Sequence, residues 1–571
     1  MSFNLSEQIP PRAGRVVELG CGNGAVGRSF LRRQPAADYW GFEPDSSPAK
    51  AAATVLPHVF CQEPEGLDMA EMGLEKGTVD VLIVRGPFLR AMGSHLKDWA
   101  ELLSEQGQLL ALMPNAGYVR LVMEQLAGRA TRLPCEGGGQ SLAEAREAIS
   151  AAGLSLLNIF PVYDAGGDKE LKDSQEMADF LQAFVALCQR DGREVRTDIW
   201  AKGYLLKALR HPLPTEQGIM MHAALGEAVV TARVRVLEPF AFLATEPGVA
   251  GLAERGTYNE AADARFSQRV IIRQRLIYKN YEQACQIIAH MRKRGYLIVA
   301  EMDDNPMQWE APGKSDRLDY AGAHVVQVST EPLAERVRQE NPEVHVFPNH
   351  LKELPEPRVY AEDAPTTVFF GALNRGREWQ DIMPALNEAA AEYGERLRFK
   401  VLSDRGFFEA LQTEHKEFVA VPGKDYDGQY VPYPIYQQAL HSSDISLLPL
   451  HDTEFNRTKS DLKFIESAGH GAVALASPTV YAGTVRDGQT GFIYHDAREF
   501  ALYLRLLVED RERRLQVAEA AYRYVKEERL LSQHYMERLD WYRECLARRE
   551  ELDLALERRL ASAAAAHRLR S

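Results

Sequence analysis

Cysteine is scarce in this chain, and none of it falls in a pattern. The six cysteines among 571 residues, Cys21, Cys61, Cys135, Cys188, Cys285 and Cys545, form no CxxC and no ligand-like spacing. That argues against a disulfide-stapled module and against a zinc site, and it fits reduced thiols in the cytoplasm. Long apolar runs are also missing. No stretch approaches the roughly 20 consecutive apolar residues that cross a bilayer, and the opening MSFNLSEQIPPRAG has no charged-then-apolar signal. The expected location is the cytoplasm, with peripheral contact at the inner face of the membrane left open. Nor is there an excess of base, since 67 Lys and Arg stand against 81 Asp and Glu, a formal charge of −14. A surface of that sign gathers no polyanions, so nucleic acid is disfavoured as a partner, although a local basic cleft for a phosphate is compatible with it. No internal repeat stands out. No cluster has metal-ligand spacing, so no metal is expected.

What is present is ample apolar material in short pieces. The chain is 45% hydrophobic and longer than one core usually supports, which predicts two or three domains. From Arg15 to Arg210 the runs VVELG, YWGFE, HVFC, VDVLIV, QLLALMP, LSLLNIFPV and KGYLLKAL alternate with helical patterns. That rhythm predicts an α/β domain with a mainly parallel sheet. HPLPTEQG, with two prolines and a glycine, follows as the linker candidate. A second series then reads VRVLEPF, VIIRQR, YLIVAEMDD, HVVQVST and VHVFPN. A third, beyond the proline-rich LKELPEPRVYAEDAP, reads TVFFGAL, RFKVLSD, FVAVPG, ISLLPL and AVALASP. Two further Rossmann-like halves are implied. From Arg498 the composition predicts long helices, ending in ASAAAAHRLRS as a fraying tail. The predicted boundaries are 1–210, a linker at 211–230, then 231–355, 356–545 and a terminal helix and tail at 546–571.

In the first domain a strand runs into RVVELGCGNG, where Gly20, Gly22 and Gly24 precede a helical pattern. Glycine lets the backbone turn sharply and approach a ligand. The next strand ends in Glu43, a carboxylate suited to accept hydrogen bonds from ribose hydroxyls. ELGCGNG resembles motif I of class I S-adenosylmethionine-dependent methyltransferases, in which an acid stands two positions before the glycines. Here that acid is Glu18. The resemblance covers roughly Val16 to Leu209 and implies S-adenosylmethionine as cofactor. It places Glu18 near the methionine end, the glycine turn against the amino-acid portion, and Glu43 at the ribose. The third-strand position that faces adenine has no clean match among Gln62, Glu63, Glu65 and Asp68; Gln62 or Glu63 is expected there. His95 and Asn115 follow the fourth and fifth strands, and a histidine there could take a proton from an acceptor hydroxyl. A helix-surface histidine and an asparagine turn are the simpler reading.

The stretch from about Val234 to Tyr542 resembles retaining glycosyltransferases of the GT-B fold, the family 4 or group 1 type. HVVQVSTEPLAERVRQENPEVHVFPNHL looks like the end of an acceptor-side domain, and TVFFGALNRGREW like the start of a donor-side domain. By that resemblance Gly371, Arg375 and Arg377 lie at the donor diphosphate. In HSSDISLLPLHDTEFNRTKSDLKFIESAGHGAVALASP, Lys459 and Lys463 stand seven and three positions before Glu466. That spacing puts them near a helix start and on nearly one face, where ammonium charge and free backbone N–H groups meet a phosphate. Glu466 matches the second acid of the family's EX7E pattern, which holds the donor ribose. The first acid is absent, because Thr458 stands eight positions before Glu466. Asp452 and Glu454 are nearby substitutes. Asp303 and Asp304, closing YLIVAEMDD, either contact acceptor or cap a turn, and a cap is favoured.

The fold class expected is therefore α/β, with a Rossmann-like methyltransferase domain followed by a GT-B glycosyltransferase of two Rossmann-like domains. The resemblances imply a bifunctional enzyme of surface-glycan biosynthesis (O-antigen, capsule or glycoprotein) that uses S-adenosylmethionine and a nucleotide-sugar and acts on a glycan, glycolipid or glycoprotein acceptor. Arg375, Arg377, Lys459 and Lys463 would stabilise the leaving diphosphate. Two other readings stay open: a glycosyltransferase whose first domain is a scaffold or acceptor-recognition module, and a non-catalytic nucleotide-sugar binding protein. Oligomeric state is not legible.

Overall fold

The computed structural model describes residues 3–65, 67, 69, 71–127, 141–164, 168–188, 191–213, 218–226, 229–255, 266–303, 318–371, 377–419 and 431–570. The chain divides into two compact units, Met1–Thr215 with Thr245–Pro247, and Glu216–Ala244 with Gly248–Ser571. Among the described residues no helix is long and apolar enough to cross a membrane.

Unit one is built on seven strands: β1 (Arg15–Leu19), β2 (Asp38–Phe42), β3 (His58–Phe60), β4 (Val79–Arg85), β5 (Leu103–Pro114), β6 (Ser155–Tyr163) and β7 (Ala201–Leu209), in the order β3-β2-β1-β4-β5-β7-β6. All run parallel except β7, which is antiparallel to both of its neighbours. Successive side chains leave a strand on opposite faces, so a sheet covered on both sides reads as an almost unbroken apolar run. β4, with its VDVLIVR, shows this: Leu82 and Val84 enter a core with Val17, Leu19, Phe42 and Trp99, while Val81 and Ile83 enter another with Val16, Tyr39 and Leu110. The order reverses between β1 and β4. The carboxyl ends of the strands at such a switch point are where open α/β sheets bind ligands.

Unit two contains two six-stranded parallel sheets. The first holds β8 (Ile219–Leu225), β9 (Val249–Arg255), β10 (Gln268–Gln274), β11 (Leu297–Glu301), β12 (Val325–Val328) and β13 (Val344–Val346), ordered β13-β12-β11-β10-β8-β9. The second holds β14 (Thr366–Gly371), β15 (Leu397–Leu402), β16 (Lys416–Phe418), β17 (Ile445–Leu448), β18 (Val473–Ala476) and β19 (Phe492–Ile493), ordered β16-β15-β14-β17-β18-β19. With unit one, this is the α/β class with three Rossmann-like sheets. The helix Leu531–Ala547 brings the chain's end back to the first of the two sheets. Its Leu531, Tyr535, Leu539, Tyr542 and Cys545, spaced as one helical face, pack with Ile219, Val270 and Val325.

Three local readings of the sequence are corrected. The stretch expected as a linker, 211–230, contains β8, a fully buried strand hydrogen-bonded on both sides. Four of the seven residues of IMMHAAL are Met or Ala, which carry little strand preference, so its neighbours do most to make it a strand. VRVLEPF, which alternates like a strand, is helical from Arg233 to Leu243, with Pro239 in the first turn of the segment Glu238–Leu243. The terminal helix Arg549–Arg570 continues through the stretch read as fraying, and the His567 ring stacks on Tyr281 at 4.1 Å between centroids.

Candidate functional site

In unit one the turn after β1 is left-handed at all three glycines, with φ of +87° at Gly20, +58° at Gly22 and +80° at Gly24. A Cβ on Gly20 would lie 2.3 Å from the Arg85 carbonyl oxygen, so the residue must be glycine for the strand ends to approach. Glu43, at the end of β2, accepts from the Gly22 N–H at 2.8 Å and the Asp45 N–H at 3.3 Å. Glu18 is wholly buried in β1, and Tyr39 donates its hydroxyl to Glu18 Oε2 at 2.8 Å.

Arg85 sits over this turn, reached from the end of β4. Its Nε–H donates to the Gly20 carbonyl at 2.8 Å and its Nη2 to the Cys21 carbonyl at 3.3 Å. Glu18 Oε1 lies 3.0 Å from the same Nε, within ion-pair reach, yet receives no hydrogen bond among the described residues because that N–H is directed at Gly20. Burial raises the Glu18 pKa to about 7, against the opposing pull of Arg85. Burial, and then Glu18, push the Cys21 thiol up to about 12, which keeps it protonated and unreactive. Sequence reasoning missed Arg85, whose only signal is a cation closing the strand next to β1.

The other residues singled out in unit one are dispersed. Gln62 and Glu63 are exposed beyond β3, and Asp68 lies outside the described residues. His95 lies in the helix Phe88–Ala100, about 10 Å along its axis from the start, with its ring 5.9 Å from Trp99. Asn115 holds a turn: Nδ2 donates to the Asp198 and Ala201 carbonyls at 2.6 and 2.8 Å, and Oδ1 accepts from the Gly117 N–H at 2.9 Å.

In unit two the helix Leu462–Gly469 places Lys463 and Glu466 beside the end of β14. Lys463 Nζ donates to the Gly371 carbonyl at 2.5 Å and lies 5.3 Å from the Tyr436 ring centroid. Glu466 is buried, and Tyr433 and Tyr436 donate to its two oxygens at 2.9 and 2.8 Å. Burial raises the Glu466 pKa, with Lys463 foremost among the groups that oppose the rise. The Arg233 guanidinium stacks 4.2 Å over Tyr433, and its Nε donates to Glu238 Oε1 at 2.7 Å. Glu238 is likewise raised by burial. One polar cluster therefore joins the two halves of unit two. The tyrosines and Arg233 were not anticipated. Their signal is YPIY, which starts a helix with a proline in its first turn and puts both tyrosines, three apart, on one face.

Lys459 does not share that helical face. It precedes the helix, and its Nζ lies 4.2 Å over the Phe455 ring. Thr458 is buried, donating its hydroxyl to the Phe455 carbonyl at 2.7 Å, while its own carbonyl accepts from Thr330 at 2.8 Å. Asn349 donates to Ser460 at 2.8 Å. Of the substitutes for the absent acid, Asp452 is exposed and accepts from Arg457 Nε and Nη2 at 2.6 and 2.7 Å, and Glu454 is exposed in a short helix. Arg377 is exposed in the turn at 377–382, whereas Arg375 and Asp304 lie outside the described residues. Asp303 pairs with Arg275 at 2.6 Å. Among the described residues no group of three or more His, Cys, Asp or Glu is placed to hold a metal ion.

Residues 380–540, which contain this cluster's helix and both tyrosines, match the family described as glycosyl transferase-like. The similarity to that family is confined to this segment. No curated protein matches the sequence. Similar solved structures include TarM, 11% identical, with 48% of this chain and 54% of that one covered at a TM-score of 0.36. They also include HepE of Anabaena in complex with UDP-glucose, 11% identical, with 56% and 99% covered at 0.39. An S-adenosylmethionine-dependent methyltransferase from Mesorhizobium loti is 14% identical, with 36% and 95% covered at 0.25. The chain thus spans about half the length of TarM.

Proposed function

We propose that unit two transfers a glycosyl group from a nucleotide-activated sugar to a hydroxyl of a glycan, glycolipid or glycoprotein acceptor, with retention at the anomeric carbon. The observation that carries this reading is the placement, inside the glycosyl transferase-like segment, of Lys463 and Glu466 on one helix beside the end of β14. In the reaction the anomeric C–O bond breaks and its electron pair goes to the diphosphate oxygen. The acceptor oxygen forms the new bond, and its proton passes to the departing phosphate. The barrier falls to the extent that fixed positive charge meets the developing negative charge. Lys463 is best placed for this, with Lys459, Arg375 and Arg377 supplying the rest.

Glu466 suits a ribose diol. The tyrosine hydroxyls take one lone pair on each of its oxygens, and the remaining lone pairs can accept from ribose hydroxyls. Burial on its own would make such a carboxylate expensive, and two donors keep it satisfied until a nucleoside arrives. With an acceptor of that class, the proposed role is in surface-glycan assembly.

For unit one, S-adenosylmethionine fits poorly as the residues stand. The orphaned Glu18 oxygen would welcome a donor, but the Arg85 guanidinium already covers the Gly20 and Cys21 carbonyls. That favours unit one as a scaffold or acceptor-recognition module over a second, methyl-transferring activity.

The test is to incubate the whole chain with a panel of nucleotide-sugars, with and without acceptor glycans, and to follow free nucleotide and product mass. Acceptor-stimulated release is expected for at least one donor. Donor binding without turnover on any acceptor would leave a nucleotide-sugar sensor in its place.

A further inference from the structure

At the unit-one glycine turn the acceptors form a cation site, and the chain fills it with its own cation. A buried carboxylate, Glu18, lies beside two outward backbone carbonyls, those of Gly20 and Cys21, and Arg85 reaches all three from the neighbouring strand. The contact is built rather than incidental. Arg85 leaves the sheet at the end of β4, which is paired with β1 in register through Leu19 and Val84. Its side chain is only about a quarter exposed, so it lies along the turn instead of extending into solvent.

We propose that Arg85 decides what unit one binds: its guanidinium takes the cation's place at the glycine turn and turns away S-adenosylmethionine. That molecule carries two positive groups, a sulfonium and an α-ammonium, against one carboxylate. Its ammonium requires carbonyl and carboxylate acceptors of the kind that Arg85 holds. Two cations cannot share them, because like charges a few ångströms apart in a partly buried site repel strongly. Arg85 cannot yield by losing its proton either, since a guanidinium stays charged. Taking Arg85 away leaves Glu18 with a single hydrogen bond from Tyr39 and no neutralising charge, and that vacancy is the one the cofactor's ammonium would fill.

Calorimetric titration of the full-length protein with S-adenosylmethionine tests this on the wild type, Arg85→Met and Arg85→Gln. Methionine keeps an unbranched apolar stem, and glutamine keeps a donor for the Gly20 carbonyl without the charge. The wild type should give no heat at millimolar cofactor. The variants should bind on the order of a hundredfold more tightly or better, with slowed hydrogen exchange in the peptide over residues 16–24. Should a variant prove unstable alone, S-adenosylmethionine is expected to raise its melting temperature while leaving the wild type unmoved. Micromolar binding by the wild type overturns the proposal. So does the failure of both variants to gain either binding or thermal stabilisation. Glycosyl transfer by unit two is measured separately, so its success or failure does not bear on this result.

Discussion

Arg529 and Asp461 form a two-pronged ion pair, with Nη1 to Oδ2 at 2.6 Å and Nη2 to Oδ1 at 3.0 Å, at side chains only 10% exposed. The same guanidinium donates to the Asn349 carbonyl at 3.0 Å and the Tyr524 hydroxyl at 3.0 Å. Asp461 directly precedes the helix that carries Lys463 and Glu466, while Asn349 follows the last strand of the other half. One arginine thus fixes the start of the helix Leu462–Gly469 against the chain segment that joins the halves.

Asp461→Asn should destabilise unit two by about 3–5 kcal/mol, because it strands a buried guanidinium without a counter-charge. Replacing both partners with apolar residues of similar volume should cost less than either single change. Denaturant unfolding of Asp461→Asn, and of the wild type, the two apolar single variants and the apolar double variant assembled as a double-mutant cycle, measures this.

Tyr436→Phe removes the donor to Glu466 Oε2 and leaves a buried acceptor unsatisfied, a loss of about 1–3 kcal/mol. If a ribose hydroxyl takes that oxygen when donor binds, a nucleoside diphosphate should raise the melting temperature of the variant by more than it raises the wild type's. Equal increments in thermal scans would argue that ribose is held elsewhere.

His324 couples pH to the docking of the terminal helix. Its Nδ1 accepts from the Ile298 N–H at 2.8 Å, so its proton is on Nε2, 2.9 Å from Asp553 Oδ1. Burial, with Arg549 and Arg292 adding to it and Asp553 opposing, lowers its pKa from 6.5 to about 4. The folded imidazole resists a proton that the unfolded one accepts. This contribution to stability is therefore complete above pH 6.5 and is lost as pH falls toward 4, a change of roughly 3 kcal/mol. Unfolding free energies between pH 7 and pH 4 should show that slope, and His324→Gln should flatten it.

Features that depend on neighbours in the chain were legible in the sequence. The glycine turn was readable because left-handed backbone at Gly20, Gly22 and Gly24 tolerates few other residues. The strands with β-branched runs, such as VDVLIV, were readable because two-sided burial demands them. Features settled by distant partners were not. Arg85 meets Gly20 across 65 positions, and Tyr433 meets Glu466 across 33. β8 is a strand mostly because β9 and β10 flank it. In Arg233–Leu237 the alternation of valine with arginine mimics a strand. The buried Arg235 instead points to Glu301 at 2.7 Å, the Phe347 carbonyl at 2.6 Å and Asn349 at 2.8 Å, partners that no local pattern announces.

The two places where the chain passes between the halves of unit two lie side by side. The Leu351 N–H donates to the Arg529 carbonyl at 2.9 Å, and the Leu531 N–H to the Leu351 carbonyl at 2.8 Å. The two crossings are tied to each other through a single residue, Leu351. They resist any sliding of one half past the other at this point, because sliding would break both bonds at once. The two crossings are thereby one bonded unit, placed directly before the helix Leu531–Ala547 and after the strand Val344–Val346.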